Sequence, residues 1–409
     1  MRKTIIGLIL LFISMTILIV IITAKFVCPT NNKYVDVPCR GAFYYQPAAA
    51  HWWFWKNFDS ELYMQDIKKF KIGHFDTITF DLQVKDFIIP SVSGESFSMN
   101  ETTLNKLRFV INEAYKNGLK VMLVLWYTNG YDRNEAQYSG GARLVNPYLF
   151  KQYEEITRAV ASVTKGYPVT FFFTNELFSF FANYDASSKK WEITPYEPAS
   201  RSFIKWLHSK NDNLNFWNKK FNTSFQTWNK VEVTKIFPKR EYWDWLAWVI
   251  RSRLPKLVKD IKTENPLALV GYEDFSLVYG WGDSGIPIPC PLDLIGFGIY
   301  RNMFISGTTL AEQAYNTLKK YAPGIKIFIP EVGMDTYNYS ETEQEEWYRS
   351  ILLWANKKGV GINVLMWRDY IPTSELPLLN ESHFGIRHID DSIKPVFHVF
   401  HDIYPKCKN

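Results

Sequence analysis

Eight alternations of a strand pattern with a helix pattern predict an α/β chain closed into a (β/α)8 barrel. Two observations carry this. Short apolar runs such as Val121 to Trp126 and Ile327 to Pro330 lack polar alternation, as strands buried on both faces do. Between them lie amphipathic stretches that stop at glycines, among them Gly118, Gly166 and Gly359, which read as helices with C-terminal caps. The 409 residues, 47% hydrophobic and 22% charged, suffice for one large barrel and exclude a mainly disordered chain.

In order, Arg40 to Tyr45 is the first strand and Ser60 to Lys69 a short helix. Asp76 to Phe80 is the second strand and Leu104 to Asn117 the helix after it. Val121 to Trp126 is the third strand, Pro147 to Lys165 its helix, and Val169 to Phe173 the fourth strand. A stretch rich in Trp, Asn and Lys, about 183–240, interrupts the pattern and reads as a long insertion after strand four, on the face where loops shape a cleft. Glu241 to Lys262 is a Trp-rich helix. The fifth and sixth strands are Leu267 to Tyr272 and Leu294 to Tyr300. Thr309 to Tyr321 is helical, Ile327 to Pro330 is the seventh strand, Thr342 to Lys358 is helical, and Gly361 to Trp367 is the eighth strand. The barrel domain is therefore expected over 40–405.

The N-terminus sets the compartment. Arg2 and Lys3 precede residues 4–24, which carry no charge. At about 1.5 Å per residue this stretch spans a hydrocarbon core of about 30 Å. A secretory signal has a shorter apolar region and a small-x-small cleavage site. Residues 1–27 are therefore expected to be a membrane anchor, with a transmembrane helix over 4–24, in preference to a cleaved signal segment. The anchor would leave the basic end cytoplasmic and the remainder at the cell surface, and cleavage would leave the chain secreted; both readings export the bulk of the chain. Residues 28–39 read as a linker. Four cysteines, Cys28, Cys39, Cys290 and Cys407, agree with export and allow three connectivities; Cys28–Cys39 with Cys290–Cys407 is the favoured pairing. Asn-x-Ser/Thr sequons begin at Asn100, Asn222, Asn338 and Asn380 and are compatible with a glycosylated exterior. The net charge of +6 is modest, and no basic run interleaved with aromatics argues for nucleic acid. No Cys-x-x-Cys or His-Glu-x-x-His spacing, phosphate loop or Gly-x-Ser-x-Gly elbow is present, so no metal or organic cofactor is expected.

Two apolar runs end in a glutamate: Phe171 to Asn175-Glu176, and Ile327 to Pro330-Glu331. A carboxylate at such a place is costly unless it faces a wet cavity. Strand ends four and seven share one barrel mouth, so the two acids, 155 residues apart, suit a paired-carboxylate mechanism of glycoside hydrolysis. The aromatic content of 17% suits either a sugar-binding cleft or a large aromatic core.

With these residues in their order, residues 40–400 resemble the large clan of (β/α)8 TIM-barrel retaining glycoside hydrolases, the cellulase and β-galactosidase-like superfamily. The matching motifs are Asn175-Glu176, Pro330-Glu331, Leu292 to Tyr300, Val364 to Trp367, and the closing Phe384 to Pro395. Phe203 to Trp206 and Phe216 to Trp228 are similar to an insertion of the β-galactosidase-like branch. The resemblance implies Glu176 as general acid/base and Glu331 as nucleophile. It also implies Asn175 as donor to the substrate 2-hydroxyl, Tyr300 against the nucleophile and Trp367 as a sugar platform. Trp126, Trp53 and Glu273 lie where they line the cleft, and Asp81 and Asp369 follow strand ends as further substrate contacts. The chain departs from the clan in lacking an arginine at the end of the second strand, which reads Ile78 to Asp81, and a histidine at the end of the third. The activity implied is double-displacement hydrolysis of β-linked oligo- or polysaccharides. A transglycosylase of the same fold and a non-catalytic glycan-binding barrel at the cell surface stay open as alternatives.

Overall fold

The computed structural model describes residues 37–48, 54–91, 96–125, 144–173, 182–185, 190–193, 197–236, 239–273, 291–301, 307–372 and 380–403. Within them lies a closed ring of parallel strands. In chain order these are β1 (Arg40–Phe43), β2 (Thr77–Asp81), β3 (Lys120–Val124), β4 (Thr170–Phe173), β5 (Leu269–Glu273), β6 (Leu294–Gly296, resumed at Ile299–Tyr300), β7 (Lys326–Gly333) and β8 (Gly361–Val364). Each pairs with its chain neighbour, and β8 pairs with β1 to close the ring. The (β/α)8 architecture expected from the sequence is therefore present.

Helices cover the outside. They are α1 (Ser60–Ile72), α2 (Glu101–Lys116), α3 (Pro147–Val163), α4 (Glu197–Lys210), α5 (Leu214–Phe221), α6 (Arg240–Glu264), α7 (Thr308–Tyr321), α8 (Glu341–Lys358) and α9 (Pro395–Asp402). Their starts follow local chemistry. Asp59 accepts from the Glu61 and Leu62 amides, Asn146 precedes Pro147 at the start of α3, and Ser340 with Glu343 forms a reciprocal capping box on α8. Gly359 ends α8 in the left-handed region at φ 66°, where a side chain would be strained.

The barrel interior alternates small and large residues. Phe172 of β4 and Phe328 of β7 meet across it with centroids 6.0 Å apart. Gly271 makes room for Phe172, because a Cβ there would lie 2.2 Å from the ring. Thr79 of β2 donates to Asn363 Oδ1 of β8 at 2.7 Å, and Asn363 Nδ2 donates to the Pro330 carbonyl of β7 at 2.9 Å. This polar strut fixes the register of three strands inside the barrel. At the other end Arg40, fully buried, donates to the carbonyls of Phe400 and Ile403 and ties α9 to the start of β1.

The insertion after β4 contains α4, α5, a one-turn helix Val233–Ile236 and a hairpin of Ala182–Asp185 with Lys190–Ile193. Phe203 of α4 packs edge-on against Tyr242 and Trp245 of α6, each 5.5 Å away. A second, smaller insertion after β2, a turn of helix Val84–Phe87 and the hairpin Ile88–Pro90 with Phe97–Met99, was not foreseen. Three-residue strands are too short to show alternation in sequence.

The expected membrane segment, residues 4–24, lies outside the described residues, and among these no helix is long and apolar enough to cross a membrane. Cys39 is disulfide-bonded; Cys28, Cys290 and Cys407 lie outside the described residues.

Candidate active site

The geometry of the site turns on an irregularity in β7. Ile329 pairs with Ile362 and Val332 with Val364, so β7 has one residue more than β8 between these points. That is a β-bulge, a device that re-aims a side chain. Pro330 and Glu331 together oppose the inward-facing Asn363. The sequence places Glu331 just past the strand; the structure places it within β7, two residues before its end. Proline inside a central strand is tolerated at a bulge, so Pro330 was the available signal.

Glu331 is 5% exposed. The Tyr300 hydroxyl, from the resumed part of β6, donates to its Oε2. Tyr300 is held by Phe384, which meets it edge-on at 6.0 Å. Two more carboxyl groups lie close enough to feel the charge of Glu331. Asp81, the last residue of β2, is buried; its Oδ2 accepts from the Tyr45 hydroxyl, and its backbone carbonyl accepts from Trp55 Nε1 at 2.7 Å. Burial, and then the charge of Glu331, hold its carboxyl well above the ordinary aspartate range. Glu381, in the turn Glu381–His383 that precedes Phe384, is pushed up to about 7 by burial and then by Glu331. Glu273, the last residue of β5, is fully buried. It is two residues beyond the inward-facing Gly271, so strand alternation puts it on the inner face.

Trp367 is corrected. The strand ends at Val364, before the alternation can carry residue 367 to the inside. Its ring is fully buried and stacks on Phe70 of α1 at 4.1 Å, with Phe75 edge-on at 5.6 Å and the Arg387 guanidinium over it at 5.4 Å. It packs the layer between barrel and helices and presents no face to a sugar. Asp369 is likewise no substrate contact: it pairs with buried Lys394 at 2.8 Å and accepts from the Gly385 amide. Asn175, Glu176, Trp126 and Trp53 lie outside the described residues.

The pairing of Asp81 with Tyr45 and the approach of Glu381 to Glu331 were missed by sequence reasoning. Asp81 shows the same signal as Glu331, an acid ending an apolar run, whereas nothing in the surrounding sequence marks Glu381. Among the described residues no group of His, Cys, Asp and Glu side chains is arranged to hold a metal ion.

No family model and no curated protein matches the chain. Solved structures do. It is similar to an exo-β-1,4-mannosidase from Opitutaceae bacterium strain TAV5 (14% identity, TM-score 0.60, 92% of this chain and 61% of that one). It is similar to a GH5_18 variant from Streptomyces cattleya in complex with Manb1-4GlcNAc (13%, TM-score 0.60, 91% and 83%). It is also similar to a cold-adapted β-galactosidase from Rahnella sp. R3 (13%, TM-score 0.62, 92% and 57%). The chain thus spans about three fifths of the length of the Opitutaceae mannosidase. At this identity the likeness concerns the fold: the barrel is of the kind that these glycoside hydrolases have.

Proposed function

We propose that the chain is a retaining β-glycoside hydrolase with Glu331 as nucleophile and Glu176 as acid/base. The observation that carries this is Glu331 at a bulge on the inner face of β7, with its Oε2 held by Tyr300. A carboxylate attacking an anomeric carbon must be ionised and fixed in orientation, and a hydroxyl donor serves both needs. Glu176 would protonate the leaving oxygen while Glu331 attacks, forming a covalent glycosyl-enzyme. Water, deprotonated by Glu176, then releases the sugar. The neighbours named as a mannosidase, a β-galactosidase and a complex with Manb1-4GlcNAc favour β-mannosides and β-galactosides as first substrates.

The test is turnover of aryl β-mannosides, aryl β-galactosides and Manb1-4GlcNAc. Glu331→Ala is expected to lose activity by several orders of magnitude and to regain turnover with azide, yielding the glycosyl azide of inverted configuration. Wild-type rates in the variant without azide would remove the assignment.

We further propose that residues 4–24 anchor the chain with the barrel outside the cell, and that the disulfides are Cys28–Cys39 and Cys290–Cys407. The full chain should then resist alkaline carbonate extraction from membranes, and a soluble form beginning near Lys25 would contradict the anchor.

A further inference from the structure

We propose that the insertion after β4 is a cationic docking surface for an acidic glycan, a β-linked chain bearing carboxylate, sulfate or phosphate groups. Lys205, Lys210, Lys219 and Lys230 hold these groups while a neutral sugar of the same chain enters the barrel mouth. Only the coupling of the surface to cleavage rests on the hydrolase reading.

The charge of the molecule is concentrated in this segment. The chain has a formal net charge of +6, and residues 197–240 contain nine Lys and Arg against three Asp and Glu. The segment alone accounts for the excess, and the rest of the chain is balanced. All nine cations are exposed. Four are paired with acids: Arg201 with Glu197, Lys220 with Glu241, Lys235 with Glu232 and Arg240 with Asp244. The four lysines named above form no ion pair among the described residues. Cations gathered in this way repel one another, and a bound anion relieves that repulsion.

Contacts within the insertion bring the cations together. α4 buries Phe203, Trp206 and Leu207, and Arg201, Lys205 and His208 follow at helical spacing on its exposed side. The His208 ring meets Trp228 at 5.0 Å, which brings Lys230 beside α4. Lys210, in the last turn of α4, lies 5.4 Å from the Trp206 ring. Trp217 of α5 donates to the Asn211 carbonyl at 2.8 Å, and Lys220 lies 5.5 Å from the Trp217 ring. The end of α4 and the lysine-bearing end of α5 are thus joined.

The location suits a substrate chain. The insertion leaves the ring at the C-terminal end of β4 and packs on the first turns of α6 through Tyr242 and Trp245, so it stands at the mouth. The chain enters β1 at the opposite end of the barrel, away from the insertion. The mouth itself holds the carboxyl groups of Asp81, Glu273, Glu331 and Glu381, which disfavour an acidic sugar there. The acids of the ligand therefore belong on the insertion and its neutral sugar in the barrel.

The experiment measures binding of the full chain to dextran sulfate, carboxymethyl-dextran and neutral dextran of equal length, by biolayer interferometry from about 50 to about 200 mM NaCl. A charged dextran should bind and neutral dextran should not, with affinity falling as salt rises. Combining Lys205→Gln, Lys210→Gln, Lys219→Gln and Lys230→Gln should weaken binding about tenfold or more. Should that variant not fold, Lys205→Gln with Lys230→Gln is read in its place. A control combining Lys116→Gln, Lys151→Gln, Lys319→Gln and Lys357→Gln, exposed on α2, α3, α7 and α8, has the same net charge and should change binding by less than about twofold. Equal losses in variant and control, or no binding of either charged dextran, overturn the proposal. Tighter binding to single-stranded DNA or to phosphatidylserine vesicles than to the charged dextrans also overturns it, in favour of a nucleic acid or a lipid surface. If the four lysines carry the binding while no β-glycoside is turned over, the hydrolase reading fails and the surface stands. If aryl β-glycosides are turned over but no charged dextran binds, the surface fails and the hydrolase reading stands.

Discussion

Replacing Glu381 by glutamine should stabilise the protein above neutral pH and leave it unchanged in acid. Its carboxyl is pushed up to about 7 from 4.5, first by burial and then by Glu331. A group whose folded value is raised binds its proton more tightly in the native state. Its stabilising contribution is complete below the unfolded value, near 4.5, and is lost as pH rises to about 7. A shift of roughly 2.5 units at about 1.36 kcal/mol per unit sets a ceiling of about 3 kcal/mol. Because the side chain is only partly enclosed, solvent screening reduces this to about 1–2 kcal/mol. Glutamine keeps the shape of the protonated acid and cannot ionise, so the variant should gain that amount at pH 8 and nothing at pH 4. Urea unfolding of wild type and variant at half-unit steps from pH 4 to 8.5 reads the difference. A gap that is independent of pH, or a variant weaker at pH 8, would refute the reasoning. The order of causes is tested as well: in a Glu331→Gln background only burial still raises Glu381, so the further gain from Glu381→Gln at pH 8 should be reduced but should persist.

The remaining predictions concern the two aromatic residues assigned opposite places. Tyr300→Phe removes the donor to Glu331 Oε2 and should lower kcat by about tenfold or more, with the acid limb of the pH profile moving upward, because the ionised carboxylate loses a hydrogen bond. An unchanged limb would mean that the bond does not support the charge. Trp367→Leu should destabilise the fold by about 2–4 kcal/mol through lost packing against Phe70 and Phe75, with KM for any sugar unchanged at a temperature where the variant is folded. A raised KM would restore the platform role.

Much of the barrel was legible because its signals are local. Each strand must bury both faces, so it is apolar throughout, and each helix must cap its ends, so Asp59, Asn146 and Ser340 stand where the helices begin. The site was legible only in part. An apolar run ending in an acid marks a buried carboxyl at a strand end, which identifies Glu331, Glu273 and Asp81 alike. Which of them meet depends on the tilt and stagger of the ring, set by contacts such as Thr79 to Asn363, 284 residues apart. The place of Trp367 was illegible for a similar reason. Three strand residues more or fewer decide whether a ring lies in the mouth or beneath a helix, and strand ends are the least determined part of a sequence pattern.

The bulge explains why a proline precedes the acid. A regular β7 would alternate Phe328 inward, Ile329 outward, Pro330 inward and Glu331 outward, burying a carboxylate against the helical layer and away from Tyr300. The extra residue keeps Glu331 on the inner side, and the next one, Val332, returns to register opposite Val364. Proline suits the inserted position because it has no amide hydrogen to leave unsatisfied, while its carbonyl is taken by Asn363. The feature that breaks the strand is thus anchored by the same asparagine that holds Thr79 and, through it, the level of Asp81. One buried amide side chain thereby sets the positions of both acids. Their proximity follows from the barrel frame, which fixes their separation without regard to the charge it brings together.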